Sequence, residues 1–299
     1  MKWAKKRKLF ISTTTKATLW ITLAGVGFTL TMIGVRKVTP ELHVFEAVFF
    51  RCLFGVIFML PWVIKAGATG LNTQKPFLTI TRGTLAYFVS CLYFVSATMI
   101  PLADMVSITF TRPIFGTIAA IIVLHEVSYG RRWIALFIGF IGMLIIIRPG
   151  FEALNLGILL ALGGVAFQTA NTIIMKFLTK YDQPDTIAFY HSLIMIPISI
   201  MPAFIVWVPP TLEQWPWLIG IGLTGMMTQR AQSRAFAVAD ASFVLALSFL
   251  RLPIAAIIGL YVFNEVSESW VWVGATIICA SSTYIANKEA AAARQRDHV

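Results

Sequence analysis

Charge is what this sequence has least of. Of 299 residues, 12% are charged and 13 are acidic. A soluble domain carries about a quarter charged residues, because its surface must stay hydrated, so the scarcity excludes a water-soluble fold of this size. Cysteine is scarce as well. Cys52, Cys91 and Cys279 each fall in an apolar run with no paired spacing, which reads as small buried side chains and excludes a disulfide framework. The histidines, His43, His125, His191 and His298, lie too far apart for a ligand motif. No Walker A sequence, nucleophile elbow or HExxH is present, so nothing points to ATP-driven pumping, acyl transfer or zinc hydrolysis. Gly220-Ile-Gly-Leu-Thr-Gly225 matches the dinucleotide fingerprint by letter, but that motif works only after a strand in a βαβ unit. Here it lies in a membrane-length apolar run, where small residues let helices approach.

What is abundant is apolar: 58% of the residues are hydrophobic, and the mean hydropathy is +0.80. Only helices and closed barrels satisfy their backbone groups in a bilayer. Barrel strands alternate apolar and polar residues, whereas these runs are continuous and of helix-spanning length. They lie near 17–35, 44–64, 77–98, 102–124, 132–148, 157–178, 186–207, 216–236, 241–263 and 270–287, which predicts an all-α membrane protein of ten transmembrane helices. The basic stretch Met1–Lys8 resembles the start of a signal peptide, but the run from Ala17 to Val35 is too long for one and no cleavage site follows, so it reads as a retained first helix.

The net charge of +11 follows the positive-inside pattern rather than forming a nucleic-acid patch. With the N-terminus inside, the cytoplasmic segments hold Lys65, Lys75, Arg131, Arg132, Lys176, Lys180 and both basic tails, against Arg36, Lys37 and Arg148 outside. Both termini are therefore expected in the cytoplasm and the chain in the inner (plasma) membrane.

Sliding the sequence against itself gives one recurring offset of 139 residues. It relates Arg112 to Arg251, Glu126 to Glu265, Trp133 to Trp272, Phe28 to Phe167, Lys37 to Lys176, Glu46 to Asp185 and Gly83 to Gly222. Two halves of five spans follow, residues 17–150 and 151–287, between tails at 1–16 and 288–299. Five is odd, so the second half enters the membrane inverted, and inverted repeats place a substrate site at their interface near the midplane.

Arginines inside spans mark candidate chemistry, since a mid-helix arginine costs roughly 2.5–3.5 kcal/mol on insertion scales and faces a cavity or a partner. Arg112 and Arg251 are repeat-related and sit beside Pro113 and Pro253, where a missing backbone donor kinks the helix. The alternative is a purely structural guanidinium satisfied by the freed carbonyls. Arg51, Arg82, Arg230 and Arg234 lie nearer span ends and are expected to snorkel. Tyr87, Tyr93, Phe28, Phe110, Phe167, Phe249, Gln168 and Asn171 lie deeper, and aromatic faces with a few polar groups suit a flat ligand, although packing explains any one of them as well. Glu46, Asp185, Glu126 and Glu265 fall at helix ends as candidate gating or capping carboxylates. None is at the midplane, so no proton-coupling residue is identified.

Phe45-Glu-Ala-Val-Phe-Phe-Arg51, Phe110-Thr-Arg-Pro-Ile-Phe115, Leu124-His-Glu126, Gly139-Phe-Ile-Gly-Met143 and Arg148-Pro-Gly150 in the first half resemble the drug/metabolite transporter superfamily with two EamA repeats. Phe249-Leu-Arg-Leu-Pro253 and Phe263-Asn-Glu265 carry the likeness in the second half. His125 departs from it, standing where many members have glycine. The resemblance implies ten helices around a cavity lined by spans one, three, four, six, eight and nine. His43–Arg51 and Phe110–Pro113 look closest to the branch with riboflavin and S-adenosylmethionine importers.

A secondary carrier for a small, partly planar metabolite is the leading expectation, riboflavin first. An amino acid or drug exporter, or an S-adenosylmethionine importer, is the alternative, the arginines counting against a cationic substrate. A membrane enzyme would need a nucleophile or carboxylate–histidine cluster, and a scaffold has no need of charges in mid-bilayer. The partners implied are a small-molecule substrate and the lipid bilayer, with no nucleic acid, no metal and no cofactor; a homodimer is open to it.

Overall fold

The computed structural model describes residues 13–99, 108, 112–124, 130–147 and 156–250, with scattered positions between 270 and 284. The helices are α1 (Thr13–Val38), α2 (Val44–Leu71), α3 (Pro76–Met99), α4 (Arg112–Leu124), α5 (Gly130–Ile147), α6 (Leu156–Leu178), α7 (Pro184–Ile205), α8 (Trp215–Val238) and α9 (Ala241–Leu247), the last running into a 3-10 turn at Ser248–Leu250. Among the described residues, four are long and apolar enough to cross a membrane: Thr13–Val35, Val44–Gly67, Leu156–Leu178 and Pro184–Ile205. Helices α3 and α8 are as long, 24 residues each. They are the repeat-equivalent pair that carries Arg82 on one side and Gln229, Arg230 and Arg234 on the other. Large apolar side chains point outward, Ile64 at 80% and Phe204 at 78% exposure, as a lipid-facing surface requires.

Local chemistry sets the helix ends. The Phe45 amide donates to His43 Nδ1 at 3.3 Å at the start of α2, and α7 begins at Pro184, where a missing amide costs nothing. Near the end of α2, Gly67 has φ 62° and ψ −165°, a conformation essentially confined to glycine. Beyond that break the Gly70 carbonyl accepts from Thr186 at 2.6 Å and the Leu71 carbonyl from Tyr190 at 2.8 Å. The kink thereby turns carbonyls with no helical partner onto α7.

Two cross-links between connections establish the topology. Gln214, in the α7–α8 connection, donates to Glu41 in the α1–α2 connection. Asp182, in the α6–α7 connection, accepts from Thr73 at 2.6 Å and from the Gln74 amide at 2.9 Å in the α2–α3 connection. Residues 39–43 and 206–214 therefore share one face, here called upper, and 72–75 and 179–183 share the lower face. Helix α2 runs from upper to lower, and its repeat equivalent α7 runs from lower to upper. The equivalent helices of the two halves run in opposite directions, as expected of an inverted repeat.

The halves interleave rather than sit side by side. α1 packs most extensively on α8 and α3 on α6, pairs that exchange under the repeat, while α2 contacts both α7 and α8 and α4 lies on α9. Close approach rests on the repeat-related glycines. A Cβ at Gly83 would lie 2.6 Å from Ile194 Cγ2, and one at Gly222 would overlap the Cβ of Phe54. Of the apparent dinucleotide fingerprint, Gly222 and Gly225 serve close packing, against Phe54 and Arg51, while a Cβ at Gly220 would meet nothing within 4 Å. Because Phe54 Cβ cannot move without its backbone, Gly222→Ala is expected to destabilise the protein by about 1–3 kcal/mol. A fall in the thermal midpoint of the detergent-purified variant checks it, and an unchanged midpoint would show that α2 and α8 can separate freely.

The largest buried core lies toward the lower face: Ala17, Ile21 and Ala24 of α1, Leu178 of α6, Ile187 of α7, Ala235 and Phe236 of α8, and all of α9. The upper end holds a smaller cluster of Val38, Leu42, Ala47, Phe50, Leu218 and Ile221. Phe50 and Phe54 pack with Trp207 and Trp215 there, centroids 5.6–6.2 Å apart, consistent with an interfacial aromatic belt. At the lower face Lys176 Nζ caps the end of α8 through the carbonyls of Phe236 at 2.9 Å and Ala239 at 2.6 Å, where the helix dipole favours a cation.

Candidate functional site

Arg82 is the centre of the polar interior. It was expected to snorkel, and it does not: the residue is 2% exposed. Its Nη1 donates to the Ile187 carbonyl of α7 at 3.2 Å, and its Nη2 to Gln229 Oε1 of α8 at 3.1 Å and to Met175 Sδ of α6 at 3.3 Å. One planar side chain from α3 thus joins three other helices. Nε has no partner. Asn171 on α6 completes the arrangement by donating to the Arg82 carbonyl at 3.0 Å. Position along a helix suggested snorkelling; packing of the neighbours decided otherwise.

A second group lies one turn closer to the lower face. Asp185 accepts from Arg230 Nε at 3.0 Å and Arg230 Nη2 at 2.9 Å, and from Arg234 Nη2 at 2.8 Å. Arg234 also lies over the Trp20 ring of α1, 4.9 Å from its centroid. The fork on Asp185 is the strong bidentate kind, and the cation–π contact carries it to α1. Together the two groups tie α1, α3, α6, α7 and α8 at the lower half of the bundle. Arg230 and Arg234 are four residues apart, so they share a helix face. That spacing, with a carboxylate at the repeat-marked position 185, was the available sequence signal.

His191 is a further residue that the sequence did not single out. It is 6% exposed, and among the described residues neither ring nitrogen has a partner. It sits on α7 between Ile187, which Arg82 touches, and Met195, whose sulfur lies 3.9 Å from Arg51 Nη2.

The structure separates the other candidates. Arg112 begins α4, half-buried and in electrostatic contact with Tyr93 of α3, and the Tyr93 ring lies against Gly164 of α6. Tyr87 is in a packed core with Val48, Cys52, Ala86 and Met195. Phe249 is 1% exposed and packs on Gly139. Phe28 and Phe167 are partly exposed, at 38% and 43%, and Gln168 is half-buried. Glu46 is wholly buried. Arg251, Phe110, Glu126 and Glu265 lie outside the described residues.

The interleaved inverted halves and their buried charges are the arrangement of a carrier, and the comparisons agree. The sequence pattern of EamA-like transporters matches twice, over residues 15–148 and 155–287. The chain belongs to the EamA-like transporter family. Within reach of this EamA chain is an S-adenosylmethionine uptake transporter of Rickettsia bellii (strain RML369-C), 30% identical over 271 residues, 90% of this chain and 93% of that one. A riboflavin transporter of Vibrio cholerae serotype O1 (strain ATCC 39315 / El Tor Inaba N16961) is 29% identical over 286 residues, 94% and 96% of the two chains. One crystal structure, of a protein 13% identical, covers 92% of this chain and 97% of its own at a TM-score of 0.78, a likeness of fold alone. This EamA protein is therefore a multi-pass membrane protein of a small-molecule transporter family.

Proposed function

We propose that the chain is a secondary transporter that takes up riboflavin across the inner (plasma) membrane by alternating access of its two halves, residues 17–150 and 151–287, with both termini cytoplasmic. The observation that carries this reading is the inverted interleaving, with polar ties concentrated at one end. Arg82, Asp185, Arg230 and Arg234 hold the lower half together, while the repeat-equivalent of Arg82 at the upper end is Ile221, packed on Gly34. Such an end-to-end difference suits a carrier closed at one face. Lys65, Lys75, Lys176 and Lys180 belong to the lower half, which favours that face as cytoplasmic. Phe28 and Phe167 keep partly exposed rings and Arg112 lies within electrostatic reach of Tyr93, side chains of the kinds that stack on a flat ring and donate to carbonyl edges.

One observation favours a second substrate. Glu46 is a buried carboxylate whose oxygens lack partners among the described residues, and a cationic substrate such as S-adenosylmethionine would supply charge there. The test is uptake of labelled riboflavin by a bacterial riboflavin auxotroph lacking its own importer, with and without this chain. Saturable uptake competed by flavin analogues supports the reading. No uptake by well-expressed, inserted protein removes it and makes labelled S-adenosylmethionine the next substrate, followed by amino acid export.

Arg112→Ala and Arg251→Ala are expected to cut uptake by at least about tenfold with membrane insertion intact, a loss of about 1.4 kcal/mol or more of transition-state binding. Wild-type uptake by both single variants would remove the pair from the site.

A further inference from the structure

The two halves carry a carboxylate at equivalent positions, and the two surroundings differ. Asp185 on α7 holds two guanidinium groups, from Arg230 and Arg234 on α8. Glu46, in the first turn of α2, is 0% exposed, and among the described residues neither Oε1 nor Oε2 has a hydrogen-bond partner. The repeat explains the difference. The positions in α3 that correspond to Arg230 and Arg234 are Cys91 and Val95, so the first half keeps the acid and lacks both of its bases.

The helix dipole favours an acid in a first turn, but it gives no donor to either oxygen. A carboxylate out of water with neither counter-charge nor donor is among the costlier arrangements in a protein interior. A positive ligand relieves that cost directly. We infer that Glu46 is the binding site for a monovalent coupling cation, a proton or a sodium ion, in the transporter proposed above.

Apart from His191, whose ring nitrogens have no partner among the described residues, the charged and titratable groups on the surrounding elements are engaged elsewhere. On α2 itself, His43 accepts from the Phe45 amide, and Arg51 lies against Met195 and Cys52. From α7, Tyr190 donates to the Leu71 carbonyl, Asp185 holds its two arginines, and His191 lies beside Arg51 and Arg82. From α3, Cys91 pairs with Tyr87, Tyr93 with Arg112, and Arg82 ties to α6, α7 and α8. The upper half of α8, Trp215–Gly225, contains no titratable residue. Lys37, at the end of α1, has an interaction of its own, and Glu41 in the connection beyond it accepts from Gln214. Among the described residues no group of three His, Cys, Asp or Glu could hold a metal ion, which leaves a divalent cation without a ligand set.

The test uses the full chain, purified and free of substrate, so that it does not depend on riboflavin. Proton release after a jump from acid to alkaline pH and retention of isotopic sodium are measured for wild type, Glu46→Gln, Glu46→Asp and Asp185→Asn. The expected result is a larger proton release from wild type than from Glu46→Gln, or sodium retention by wild type that Glu46→Gln loses, with sodium retention kept in Asp185→Asn. Glu46→Asp is expected to retain the wild-type signal with a shifted midpoint, which carries the test if the glutamine variant fails to insert. Identical signals in wild type and Glu46→Gln overturn the assignment, as does the absence of both signals in wild type. Proton release without sodium retention identifies the proton, and the reverse identifies sodium. A wild-type cation signal together with failed riboflavin uptake sinks the substrate reading and leaves this one standing.

Discussion

Arg82→Ala is expected to abolish uptake and to lower the stability of the detergent-purified protein by about 2–4 kcal/mol, the range for losing buried hydrogen bonds together with buried volume. The substitution removes the donors to the Ile187 carbonyl, Gln229 and Met175 at once. It leaves the Gln229 amide oxygen without its partner in the interior, where the missing bond costs more than at a surface. Asn171 binds the Arg82 backbone carbonyl, so the α3–α6 tie survives and the loss falls on the link to α7 and α8. Arg82→Lys is the sharper variant. An ammonium keeps the charge but cannot present a planar fork to three helices, so transport should stay at least about tenfold reduced while stability partly recovers. Uptake in cells and thermal unfolding in detergent read the two effects separately. Full transport by Arg82→Lys would show that charge alone matters at this position.

That arginine also marks where the sequence stopped being informative. The spans, the short connections and the inverted repeat were legible, because lipid demands long apolar runs and because duplication leaves equivalent residues with equivalent tasks. Gly83 and Gly222 take a side chain of the facing helix in the same way, on Ile194 and Phe54. The partners of the arginines were not legible. Arg82 lies six residues from the start of α3, a distance from which snorkelling is easy in an isolated helix. Only the packing of α6, α7 and α8 around it closes that route. Asn171 was read as a ligand group for its depth, and it is spent on a neighbouring backbone. The asymmetry between Glu46 and Asp185 was present in the sequence, at positions 91 and 95 against 230 and 234. Its consequence becomes visible only once Asp185 is seen to hold both arginines of α8 while Glu46 has no partner among the described residues.

Asp185→Asn is expected to loosen the lower face and to cut transport by at least about tenfold. The amide preserves shape but removes the charge that both arginines share. Arg230 and Arg234, one turn apart on α8, then face each other as like charges, an arrangement that destabilises a helix pair. The side chains of the arginines are 28% and 34% exposed against 13% for Asp185, so water screens part of the interaction and the effect on folding is modest. The effect on gating is larger, because Arg234 also holds Trp20 of α1, and α1 with α8 forms the most extensive contact among the described helices. Ser233, between the two arginines in sequence, is fully buried. In a background without native cysteines, Ser233→Cys should be protected from thiol reagents and become labelled when Asp185→Asn is added. The swap of Asp185→Arg with Arg230→Asp should recover part of both transport and protection, with a coupling of about 0.5–3 kcal/mol between the two positions. Wild-type transport by Asp185→Asn with Ser233→Cys still protected would instead identify the ion pair as a static brace, and opening at the lower face would have to break some other contact.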